Sequence, residues 1–163
     1  MNRTISLDGK TTKQMADEIN KLFLADLYEC FEIVFEDLAK ESMGLAISKE
    51  VYAKYRPMLY KRRRNQNGGL ADPSNFDVQI FQQDNGNIVG IVKNTARGVG
   101  KAFELDEVIV SGMGYDWEDS KIYHMQPFPR DFYSATIERI EASRWKYRVR
   151  RLMNQRGWHT VGK

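Results

Sequence analysis

Read for the spacing of its apolar residues, the chain opens with a short arm and then places Met15, Ile19, Leu22, Phe23, Leu27, Cys30, Phe31, Val34 and Leu38 at helical intervals. Thr11 and Gln14 stand ahead of them at capping-box spacing, which predicts a long amphipathic first helix. Gly44 is its expected stop. Ser48 is the expected cap of a shorter helix from Lys49 through Tyr55, which must end before Pro57. From Met58 the pattern reads as strand, and residues 58–75 as an extended hairpin or loop rich in turn formers, with Gly68, Gly69 and Pro73.

Phe76, Val78 and Ile80 alternate with Asp77 and Gln79, and Asn85-Gly86 precedes Ile88 to Val92, which predicts a β-hairpin. A two-residue loop at Asn85-Gly86 sets Ile80 opposite Ile91 and Gln82 opposite Val89. Val78, Ile80, Val89 and Ile91 then share one face, expected to pack on the long helix. Asn94 to Lys101 reads as a glycine-rich connector, and Leu105 to Val110 as either a helical turn or a strand. Pro127 and Pro129 lead into a final helix of about seven turns, capped by Asp131, stopped at Gly157 and turning Ile137, Ile140, Val149 and Leu152 inward. The pattern as a whole predicts an α+β fold in a single domain over residues 1–163, with residues 1–10 as a flexible arm and long first and last helices packed on a small antiparallel sheet.

Charge changes this picture locally. The total is +3 over 163 residues, an ordinary soluble composition that permits a polyanion partner without demanding one. The outer positions of the first helix are acidic, with Asp26, Glu29, Glu32, Glu36, Asp37 and Glu41. Carboxylates near a helix C-terminus oppose its dipole, so they either meet a cationic neighbour or form a solvated face. The last helix is basic in its latter half, with Arg144, Lys146, Arg148, Arg150, Arg151 and Arg156. Glu29, Glu32 and Glu36 against Arg144, Arg148 and Arg151 are therefore candidate electrostatic contacts, within one subunit or between neighbours.

Catalytic and cofactor chemistry finds little footing. Arg97-Gly98-Val99-Gly100-Lys101 ends in Gly-Lys, but a phosphate loop needs glycine where Thr95 stands and a hydroxyl where Ala102 stands. His124 and His159 are isolated, and Cys30 lies among carboxylates that disfavour its thiolate. Asp116, Glu118 and Asp119 lack calcium-loop spacing. The expectation is no enzyme, no cofactor and no metal. A lone cysteine and the lack of a long apolar stretch point to a reducing cytosol and away from membranes. Lys61-Arg62-Arg63-Arg64 beside Tyr55 and Tyr60 suits either a nucleic-acid contact or a subunit contact.

As an ordered string, Val51-Tyr52, Tyr55, Pro57, Tyr60 and Arg62-Arg63, then Gly68-Gly69-Leu70, Asp72-Pro73 and Asn75, resembles the signature segment of a family of phage neck or tail-completion proteins. Leu105-Asp106-Glu107 with Gly112, Gly114 and Tyr115, and Pro127 to Phe132, are similar to later segments of that family. The resemblance implies a non-enzymatic virion protein that forms a homo-oligomeric ring at the head-tail junction, in contact with other connector and tail proteins. Tyr52, Tyr55, Tyr60, Arg62, Arg63, Gly68, Gly69 and Leu70 become candidate partner contacts. A tail terminator, and a nucleic-acid-binding module using residues 61–64 and the basic last helix, are the alternatives; a ring also allows non-specific DNA contact in its lumen.

Overall fold

The computed structural model describes residues 8–54, 63–64, 68–98, 104–113 and 128–159. Its elements are helix α1 (Thr12–Ile47), a π-helical turn (Ser48–Tyr52), a 3-10 turn (Pro73–Asn75), strands β1 (Phe76–Gln82) and β2 (Ile88–Asn94), and helices α2 (Leu105–Ser111), α3 (Phe132–Ala142) and α4 (Trp145–Gln155). The two strands form one antiparallel hairpin, so the class is α+β.

The capping box is in place. The Thr11 amide donates to Gln14 Oε1 at 2.9 Å, and the Gln14 amide donates back to Thr11 Oγ1 at 3.4 Å. Gly44 does not stop α1. Ser42, Met43, Ala46 and Ile47 are all buried around it, and this packing outweighs the weak helix propensity of a single glycine. The expected helix from Lys49 is instead a π-helical continuation of α1.

The final helix is two helices. Ser143 is extended at φ −75° and ψ 158°, and its hydroxyl donates to the Ile140 carbonyl at 2.6 Å, so a side chain takes a bond that would otherwise continue the helix.

The hairpin register also differs from the two-residue expectation. The Gln83 amide donates to the Asn87 carbonyl and the Gly86 amide to Gln83, which makes a three-residue loop with Gly86 at φ +84°. The Thr95 amide bonds the Asn75 carbonyl in the same register, so Ile80 lies opposite Gly90 and Val78 opposite Val92. A slip of one residue exchanges the faces of one strand. Gly90, Val92 and Asn94 therefore join Phe76, Val78 and Ile80 inside, while Ile91 is turned outward and is 46% exposed.

The chain is organised as two compact units. The first comprises residues up to Asp37, the hairpin tip Ile80–Gly90, and the chain from Arg144. Cys30 and Val34 of α1 pack there with Val149 and Met153 of α4, ringed by Phe23, Leu27, Phe31, Trp145, Leu152 and Trp158. Phe23 meets Trp158, and Phe31 meets Trp145, edge to face at 5.2 and 5.7 Å. The Tyr28 hydroxyl donates to the Ile80 carbonyl at 2.8 Å.

The second unit comprises Leu38–Gln79 and Ile91–Ser143. Its core is Met43, Ala46, Ile47, Val51, Leu70, Phe76, Ala96 and Phe132, and α3 lies against the π-helical turn.

Candidate functional site

In the second unit, the residues of the signature string build a tie. The Tyr52 hydroxyl donates to the Arg64 carbonyl at 3.2 Å, and the Ala71 amide donates to the same carbonyl at 3.0 Å. Arg64 is the one non-glycine residue at positive φ, 54°, among the described residues. A Cβ on Gly69 would stand 2.2 Å from the Arg64 carbonyl oxygen, so only glycine admits this approach of backbone to backbone. Arg63 donates through Nη2 to the Arg97 carbonyl at 2.7 Å.

Asp72 caps the 3-10 turn. Its carboxylate accepts from the Ser74 hydroxyl and amide and from the Gly68 amide, bonds that hold its pKa below the ordinary 3.8. Leu70 is buried, and its carbonyl accepts from Asn94 Nδ2 at 2.7 Å. Tyr55, Tyr60 and Arg62 lie outside the described residues, as do the expected strand from Met58 and Lys61 of the Lys61 to Arg64 run.

Asn94, which sequence reasoning passed over, is the hub of this unit. It is fully buried; its Oδ1 accepts from the Ala96 amide, and its own amide donates to the Tyr133 hydroxyl, which donates to Asp106 Oδ2 at 2.6 Å. Burial first, and the bond to Asp106 second, push the Tyr133 hydroxyl well above its ordinary pKa. The only sequence signal was an asparagine ending an apolar strand.

The acidic and basic helices meet in the first unit through Arg156. Its Nη1 donates to Asp26 Oδ1 at 2.9 Å and to Glu29 Oε2 at 2.7 Å, and Trp158 Nε1 donates to the other Asp26 oxygen at 2.8 Å. Asp26 is buried, so its charge is matched by a guanidinium and an indole. Of the residues named from sequence, Glu29 is thus joined to Arg156 rather than to Arg144, Arg148 or Arg151. Glu32 and Glu36 remain on the exposed side of α1 beside Ile33, which is 55% exposed. Arg144, Arg148 and Arg151 are exposed along one side of α4.

Cys30 is buried, and burial raises its thiol pKa. Among the described residues no three His, Cys, Asp or Glu side chains gather as metal ligands would, and no helix is long and apolar enough to cross a membrane.

A family model described as YomN matches residues 4–155 of the 163. The chain belongs to the YomN family. YomN proteins are phage-derived, which makes this a phage protein. No curated protein and no solved structure matches the chain. The YomN match runs through both compact units and takes in the hairpin and the Tyr52–Arg64 tie, while Arg156 and Trp158 lie just beyond its end.

Proposed function

We propose that this YomN-family protein is a non-enzymatic structural component of a tailed phage virion, forming a ring at the head-tail junction that joins the portal side of the capsid to the tail. One observation carries the reading. The signature residues Tyr52, Gly69, Leu70 and Asp72 are spent on fixing the two ends of the stretch that contains Tyr55, Tyr60 and Arg62. Fixing the ends of a tyrosine- and arginine-rich stretch before docking lowers the ordering cost of binding, and those two residue types are enriched at interfaces. Membership of a phage-derived family supports the same reading. Tyr55, Tyr60 and Arg62 are assigned to contact with the adjacent subunit or connector protein, whereas Tyr52, Arg63, Gly68, Gly69 and Leu70 hold the frame.

The test is electron imaging of phage particles made with and without the gene. Filled heads and finished tails left unjoined on deletion support the proposal; normal virions overturn it. A Tyr60→Ala, Arg62→Ala variant should fold normally and still leave heads and tails unjoined.

A further inference from the structure

The charge along the chain is unevenly placed. Seven Lys and Arg follow Glu141, and no Asp or Glu does, against a net charge of only +3 for the whole protein. Arg156 is matched by Asp26 and Glu29. Arg144, Lys146, Arg148 and Arg151 are exposed, and among the described residues no carboxylate lies within ion-pair distance of any of them. Arg144, Arg148 and Arg151 form a row at helical spacing. It covers about 10 Å of helix axis, a length over which one strand of duplex DNA carries about three phosphates. Beside the row stands Tyr147, 54% exposed, with the Arg150 guanidinium 5.4 Å from its ring centroid. The opposite side of α4, Val149 and Met153, is buried in the first unit's core, which fixes the row outward.

We propose that this face of α4 binds the phosphate backbone of duplex DNA without sequence preference. Charge complementarity alone also suits the acidic side of α1 in a second copy. Glu29 is bonded to Arg156 and Glu36 is engaged within the chain, and the exposed carboxylates that remain, Glu32, Asp37 and Glu41, do not form one row, because helical spacing sets Asp37 and Glu41 on the other side of α1 from Glu32. A phosphate backbone supplies a continuous row of charges and asks no shape of its partner beyond an exposed cationic ridge. The proposal concerns the purified chain and stands apart from the head-tail reading, since it holds or fails whatever ring the protein forms.

The experiment is fluorescence anisotropy of the full chain with two duplexes of unrelated sequence, between about 50 and about 200 mM salt. Both duplexes should bind alike, with a slope of log affinity against log salt of about −3. Arg144→Gln, Arg148→Gln and Arg151→Gln together should flatten the slope to near zero and weaken low-salt binding at least about 30-fold. The matched control, Lys13→Gln, Lys21→Gln and Lys49→Gln, removes as many exposed charges from elsewhere and should stay within about twofold. The triple Arg→Lys variant should keep the slope, separating loss of charge from loss of fold. Absence of binding at low salt, equal loss in the control, or loss in the Arg→Lys variant overturns the proposal. So does unchanged DNA affinity in the Gln variant with sedimentation showing loss of self-association, which assigns the face to a second copy.

Discussion

A Cβ on Gly90 would stand 2.4 Å from Cε1 of Phe35, so β2 rests its backbone directly on an aromatic ring of α1. The contact exists because the strand offers no side chain there. Gly90→Ala should destabilise the protein by about 1–3 kcal/mol through overpacking, read as a lower urea midpoint. Adding Phe35→Leu to it should recover part of the loss. An unchanged midpoint in the single variant means the ring does not sit against the strand.

The three-residue hairpin loop makes neighbouring residues of β2 respond in opposite ways. Ile91→Ser, on the outward side, should change stability by less than about 0.5 kcal/mol. Val92→Ser, which faces the second unit's core, should cost about 1–3 kcal/mol because it places a hydroxyl there and removes methyl packing. The two-residue loop predicts the reverse order, and thermal melts of the pair decide between the registers.

Local signals were legible and long-range choices were not. The Thr11–Gln14 box and the Asp131 cap follow from a few adjacent residues, and both are present. The strand segments were visible in their alternation, but their register depended on whether Asp84 joined the loop, and on Phe35 favouring a glycine opposite Ile80. Gly44 counted for less than its helix propensity suggested, and Ser143 for more. Burial on either side of Gly44 sustained the helix, whereas a hydroxyl bond at Ser143 ended one that periodicity alone would have continued. The opposite signs of α1 and α4 were readable, yet the cation that joins them, Arg156, lies just past the end of α4, where helical spacing gives no guide.

Arg156→Ala should cost about 3 kcal/mol, because it takes the guanidinium away from the buried Asp26 carboxylate. Asp26→Asn in that background should return part of the stability. If the single variant melts with the native protein, the cluster is not holding the first unit together.

Acid should weaken the second unit in a defined window. The Ser134 hydroxyl and then the Ser134 amide hold the Asp131 carboxyl below its ordinary 3.8, and Asp72 is lowered in the same way by Ser74 and Gly68. A depressed folded-state pKa contributes stability that is present above the unfolded value and lost as pH falls through the folded one. The denaturant midpoint should therefore fall on acidification below about pH 4, and less so in Asp131→Asn, Asp72→Asn. At neutral pH, Asp131→Ala should cost about 1 kcal/mol as a lost helix cap. Parallel pH profiles for the native protein and the double Asn variant would refute the assignment.

The bond from Tyr52 to the Arg64 carbonyl also sets how much change the chain between them tolerates. A stretch of chain pinned at both ends can change length and content cheaply, since doubling the span between pins adds only about 0.6 kcal/mol of closure entropy. Chain added between Tyr52 and Arg64 should therefore cost the fold little, so long as Tyr52, Gly69 and Leu70 keep the anchorage. The fold in this sense is a socket, whose stability rests on the two pins more than on the length of chain held between them.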